Sequence, residues 1–193
     1  IYYPKHLPDN TVHCVLKDAF GNIWVGTENG LARGKDVSSI RPALQKEVTG
    51  HIITLYELKD HRICVGGSKG AFIVDQKHGT VNHIGESMGL KGREVRCFKE
   101  DNEGKIWMGT YGGGLYCYHK NKLTNINEIK NSCLDKDVFC IAEDTFGYYY
   151  ITSNHGLWRL NIKALNEFYY GRLNHLIPFH YNEESGILNA EFN

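Results

Sequence analysis

Residues Lys17–Leu31 read KDAFGNIWVGTENGL. Asp18 and Gly21 make a tight turn, and a short apolar run centred on Trp24 follows. A Gly26-Thr27 step then leads through a second turn into Gly30-Leu31. Short apolar runs bounded by Gly, Asn and Asp are the signature of antiparallel hairpins. What decides the fold is that the stretch recurs. Trp24 aligns with Cys64, Trp107 and Tyr150 at successive spacings of 40, 43 and 43 residues. At those offsets Asp18 meets Leu58, Asp101 and Asp144, while Gly21 meets His61, Gly104 and Gly147. Thr27 meets Gly67, Thr110 and Ser153. With one inserted Gly in the third copy, Gly30 meets Gly70, Gly114 and Gly156. Upstream, Val12, Ile52, Val95 and Val138 each open an apolar strand.

A period of roughly 40–45 residues carrying about four short strands describes a propeller blade. Helical repeats of similar period fail, because no ten-residue stretch has helical periodicity. The expected fold is all-β: β-propeller blades of four antiparallel strands, about four of them, forming an arc of a larger propeller. The blades are expected at 6–48, 49–91, 92–135 and 136–184, with 185–193 starting another. Residues 1–5 read as an outer strand, and a short helix is expected around Lys163–Phe168.

Composition narrows the function classes. Of 193 residues, 41% are hydrophobic and 23% charged, ordinary values for a globular protein. The 22 basic and 22 acidic residues balance, so no nucleic-acid footprint shows. No run approaches the ~18 apolar residues of a membrane span. The chain starts at Ile1 without a signal-like segment and reads as a piece of something longer. Cys14, Cys97 and Cys140 share one repeat position, and Cys64 takes a Trp position. Small buried side chains are expected there rather than disulfides. Cys117 with Cys133 is the one pairing considered, and it too is expected to stay open. No Cys/His spacing suits zinc, so no metal and no cofactor are expected.

The pattern of Asp18, Gly21, Trp24, Gly26, Thr27, Gly30 and Leu31 resembles the two-component regulator propeller repeat. Asp101, Gly104, Trp107, Gly109, Thr110, Gly114 and Leu115 repeat it almost throughout. The fourth copy departs at Tyr150 and Thr152, and the second at Leu58, His61 and Cys64. The tail from Ser185 to Asn193, SGILNAEFN, resembles the start of a further blade. The resemblance implies the periplasmic sensor region of a hybrid two-component histidine kinase anchored in the inner membrane. It also implies a glycan-derived oligosaccharide as ligand, a signal passed to transcription, paired sensor regions and no catalysis by this segment. Homodimerisation is expected on that account, and self-association from the unpaired strand edges and uncovered blade faces of an open arc.

The recurring residues have structural duties. Trp24 and Trp107 are expected to pack blade on blade, and Asp18, Asp101 and Asp144 to accept turn amides. Gly112-Gly113-Gly114 lacks the Lys and Ser/Thr of a phosphate cradle. Ligand contacts therefore fall to loops that do not repeat. Loops between second and third strands share a face with the connections between blades. On that face lie Asn10, Glu28, Asn29, Lys69, Arg93, Tyr111, Asp137, Asn154 and His155, a mix of amides, charges and an aromatic suited to hydroxyl-rich ligands. The alternative is a propeller-fold lyase or glycosidase, which needs two positioned carboxyls that no spacing here supplies. A scaffold propeller of the WD kind lacks its Trp-Asp dipeptide.

Overall fold

The computed structural model describes residues 7–92, 94–189, 191 and 192. The expected outer strand at 1–5 and the candidate Arg93 lie outside the described residues. Contacts group the chain into two compact units, Ile1–Gly89 and Leu90–Asn193. In the first unit β1 (Val12–Lys17), β2 (Ile23–Thr27), β3 (Gly30–Gly34) and β4 (Arg41–Ala43) form one antiparallel sheet in chain order. A second sheet follows from β5 (Ile52–Glu57), β6 (Ile63–Gly67), β7 (Gly70–Asp75) and β8 (Thr80–Ile84).

The second unit repeats the plan. One sheet is β9 (Glu94–Glu100), β10 (Ile106–Tyr111), β11 (Gly114–His119) and β12 (Lys122–Asn125). The other is β13 (Cys140–Glu143), β14 (Tyr148–Ser153), β15 (Gly156–Asn161) and β16 (Phe179–Tyr181). A helix, α1 (Ile162–Tyr169), is inserted before β16 and spans slightly more than expected. Four sheets of four antiparallel strands make the chain nearly all-β, with the meander topology of propeller blades.

The repeated residues explain the repeated turn. Asp18 Oδ1 accepts the Asn22 amide at 2.7 Å, and its Oδ2 accepts the Trp24 indole N–H at 2.8 Å. Asp101 holds the Lys105 amide at 3.0 Å and the Trp107 indole at 3.1 Å. One carboxylate thus closes the turn and satisfies a buried donor, which would otherwise cost about 1–3 kcal/mol. In the second copy both the Asp and the Trp are replaced, by Leu58 and Cys64, which are buried and apolar, whereas the fourth copy keeps Asp144 with Tyr150. Thr27 and Thr110 each donate their hydroxyl to the carbonyl of Gly30 or Gly114 at 2.8 Å, and Ser153 does so to Gly156 at 3.1 Å.

Within each unit the indole packs one sheet on the next. Trp24 lies among Val48, Ile63, Val65, Phe72 and Val74. Trp107 lies among Ile141, Tyr149, Ile151, Leu165 and Phe168. The Gly two residues on is required by the same contact. A Cβ on Gly26 would come within 2.7 Å of Ile52 Cγ2, and one on Gly109 within 2.4 Å of Val138 Cγ1. The first residue of the next inner strand passes directly over this Gly.

All six cysteines are free thiols, but their burial differs from the expectation of one packed layer. Cys97 is buried, Cys14 is half-buried and Cys140 is exposed. Burial pushes the Cys14 thiol up to about 11 and the Cys97 thiol up to about 12. Cys14 and Cys97 lie beside the Gly over which the next inner strand passes, whereas no described strand follows β16 to cover Cys140. Cys117 is buried and Cys133 exposed, its Sγ donating to the Leu176 carbonyl at 3.1 Å.

Candidate functional site

Three positions recur around the starts of several inner strands. The first is a β-bulge. Register slips between Val12 and Cys14 in β1, between Ile52 and Thr54 in β5, and across Gly109/Thr110 in the β9–β10 pair. The bulged residues are therefore His13, Ile53 and Arg96. A bulge leaves its residue outside the ladder and re-aims its side chain. The second position is the residue after the Thr of the second strand: Glu28, Tyr111 and Asn154. The third is the residue just before the next inner strand begins, His51 and Asp137.

In the first unit these positions converge. Glu28 Oε2 accepts from His13 Nε2 at 2.9 Å and lies 3.7 Å from His51 Nε2. The two imidazole rings meet edge-to-face with centroids 4.2 Å apart. Backbone bonds hold all three segments: Glu28 N–H to the Thr11 carbonyl at 3.0 Å, Ser68 N–H to the His51 carbonyl at 3.0 Å, and His51 N–H to Ser68 Oγ at 3.1 Å. Beside them Asn29 Nδ2 donates to Asp9 Oδ2 at 2.7 Å. Asn10 is exposed in the loop before β1. Lys69 is exposed on the β6–β7 turn, where its carbonyl accepts from His83 Nε2 at 2.7 Å.

The second unit fills the same positions with other chemistry. Asp137 accepts the Gly112 amide at 2.8 Å through Oδ1 and the Asn154 side-chain amide at 2.7 Å through Oδ2. It thereby ties the β10–β11 turn to the β14–β15 turn. The rings of Tyr111 and Phe139 are 5.9 Å apart, and the Arg96 guanidinium lies 5.3 Å over Phe139. His155 is exposed and bonds Asp135 Oδ2 through Nδ1 at 2.6 Å. That hydrogen bond, with the attraction of the carboxylate, raises the His155 pKa above its ordinary value. Burial opposes the charged form of Asp135, yet hydrogen bonds from His155 and from the Asp137 amide keep its pKa below the usual range.

Next to this pair, Asn154, His155, His180, Glu183 and Glu191 line an open groove of about 520 Å³. The Phe192 amide donates to the Ser153 carbonyl at 3.2 Å, as the Val138 amide does to Thr110 at 2.9 Å. Glu191 therefore stands one residue before Phe192, as Asp137 stands before Val138. Aromatic and amide groups interleaved with single charges can orient sugar hydroxyls and their ring faces.

The sequence-based set thus splits by unit. Glu28, Asn29, Asn10 and Lys69 belong to the first, and Tyr111, Asp137, Asn154 and His155 to the second. His13, His51, Asp9, Arg96, Asp135 and Glu191 were missed. His13 and His51 flank the aligned positions Val12 and Ile52 by one residue, a signal that period counting passes over.

The family model described as two component regulator propeller matches residues 6–29 and 89–112. These two segments carry the two component regulator propeller repeat. Among solved structures it is similar to the extracellular domain of a candidate one component system from B. thetaiotaomicron, with TM-score 0.67 and 16% identity over 91% of this chain and 24% of that one. The extracellular domain of a candidate hybrid two component system from the same organism aligns with TM-score 0.50 and 14% identity, over 94% of this chain and 33% of that one. A streptogramin B lyase aligns with TM-score 0.59 and 13% identity, over 93% and 57%. At these identities the likeness is one of fold. The chain spans a quarter to a third of the first two. No curated protein matches it in sequence.

Proposed function

We propose that this chain is part of the extracytoplasmic, periplasmic sensing region of a membrane-anchored hybrid two-component histidine kinase, and that it binds a glycan-derived oligosaccharide without turning it over. The observation that carries the reading is the pair of two component regulator propeller segments, 6–29 and 89–112, each ending on a turn that presents a candidate contact residue. Loop chemistry supports a hydroxyl-rich ligand: Asp137, Asn154, His155 and Tyr111 in one unit, Glu28, Asn29 and Lys69 in the other. Each side chain whose hydrogen bonds are described is held by a neighbour and so preorganised to orient hydroxyls. A ligand signals only by binding one of two receptor states better than the other. On this reading the kinase lies in the remainder of that longer protein and passes the signal on to transcription.

A glycan panel titrated against the pure chain, with product analysis of each mixture, tests the reading. The expected result is weak, calcium-independent binding of an oligosaccharide, weakened at least tenfold by Asn154→Ala or Tyr111→Ala, with the glycan recovered intact. A new reducing end or an unsaturated sugar made by the chain would replace the sensor with a propeller-fold lyase or glycosidase.

A further inference from the structure

Glu28, His13 and His51 form the densest cluster of metal-ligating side chains among the described residues. One ligand atom from each lies within 4.8 Å of the other two. We propose that these three residues bind a borderline-soft divalent cation, zinc foremost, with the remaining coordination positions open to solvent. The site does not depend on the oligosaccharide reading, and it lies wholly within the first unit.

The geometry fits. Two bonds of about 2.0–2.1 Å at the tetrahedral angle place ligand atoms roughly 3.3 Å apart. The observed separations to Glu28 Oε2 are 2.9 Å from His13 and 3.7 Å from His51. Both lie within about 0.4 Å of that spacing. Two imidazoles with one carboxylate, and water in the fourth place, is the donor set of open rather than closed zinc sites. Hard oxygen-seeking cations such as calcium and magnesium ask for six or more oxygens and are poorly served by two nitrogens. The side chains are partly accessible, at 27% for His13, 25% for His51 and 49% for Glu28, while the His51 Nε2 atom itself is buried.

The backbone favours the arrangement before any ion arrives. His13 sits on the bulge of β1, Glu28 on the β2–β3 turn anchored by Thr11, and His51 on the connection anchored by Ser68. Binding at Nε2 requires each ring to carry its proton on Nδ1. The hydrogen bond that His13 Nε2 gives Glu28 is then replaced by two bonds to the metal.

Zinc chloride titrated into the metal-free chain against a chromophoric chelator gives affinity and stoichiometry. The expected result is one site whose affinity falls at least tenfold in His13→Ala and in His51→Ala, with calcium and magnesium failing to compete. Cobalt substitution should give visible bands of a tetrahedral or five-coordinate centre that disappear in the double variant. Cys133→Ser and Cys140→Ser remove the exposed thiols and should leave the site intact. Circular dichroism melts of the metal-free variants show whether the fold survives, and Glu28→Gln keeps the side-chain shape if a histidine variant does not. Zinc binding unchanged in the double histidine variant and in Glu28→Gln, or no binding at 0.1 mM zinc (about 5.5 kcal/mol on the affinity scale), would overturn the proposal.

Discussion

At the scale of single residues, Asp101 and Trp107 show how a repeat motif is read physically. The carboxylate takes a turn amide and the indole N–H together, so neither residue is explained alone. Trp107 is fully buried between sheets of the second unit. Trp107→Ala should cost roughly 3–5 kcal/mol, the range for a large buried aromatic. Denaturant melts showing less than half a kcal/mol would place the side chain outside the core. His155 offers a second test. Its pKa is raised above 6.5, so the stabilisation of its charged form is complete below 6.5 and is lost as pH rises through the higher folded value. Asp135 is lowered from 3.8, so its share is present above that value and is lost as pH falls through the folded one. The pair is doubly charged between those limits. The imidazole signals of His155 should titrate with a midpoint above 6.5 in the protein and move back toward 6.5 in Asp135→Asn; a midpoint at or below it in the unaltered protein would refute the pairing.

Among elements, α1 is the departure from a plain meander. Asn161 ends β15 and caps the helix, its Oδ1 accepting the Ala164 amide at 3.0 Å. The helix turns Leu165 and Phe168 into the cluster around Trp107. Just beyond its C-terminal end, Tyr170 donates its hydroxyl to Glu103 at 2.8 Å. Glu103 also accepts from the buried Lys105 ammonium at 2.7 Å, which Asp101 approaches at 3.5 Å. Lys105 is thus kept charged: burial opposes this, but the bonds to Glu103 and Tyr170 and the nearby carboxylates outweigh it and raise its pKa. Loss of a helix N-cap costs about 1 kcal/mol. Asn161→Ala should lower stability by about that much, and Asn161→Asp should restore most of it. Chemical denaturation of the two variants separates capping from a general packing defect, in which case Asp would fare no better than Ala.

For the whole molecule, the telling surface is the face that the repeat uses to meet its successor. Trp24 and Trp107 lie on that face of their sheets and are buried by the next one. In the sheet β13–β16 the corresponding face carries Arg159, stacked at 5.0 Å over Tyr148 and 5.4 Å over Phe179. Phe179 is 51% exposed there. Thr152 stands on this sheet at the position where Gly26 and Gly109 admit the next inner strand. Exposed aromatic faces of this kind mark association sites. We expect sedimentation velocity to show concentration-dependent self-association of the chain, weakened at least tenfold by Phe179→Glu without loss of fold. A monomer at all concentrations would refute the expected self-association.

What the sequence determined was the local and the periodic. Spacings of 40 and 43 residues, with Asp, Gly, Trp, Gly and Thr at constant offsets, specify turns and strand faces, because these depend on neighbours a few residues away. Strand positions and the duties of Asp18 and Asp101 were legible for that reason. The candidate contacts on the second-to-third strand turns, Glu28, Tyr111 and Asn154, were legible too, since turn position is itself periodic. Only the tertiary structure decided what those turns meet. His13 reaches Glu28 because a bulge turns it out of the ladder, and strand alternation cannot announce a bulge. His51 arrives from a connection 38 residues further along the chain than His13, in a segment that carries no part of the repeated motif. Asp135 finds His155 in the same way, across a linker. Contacts between segments that distant are set by how sheets stack on the small Gly positions, so the chemistry of the candidate site becomes visible only once the sheets are packed.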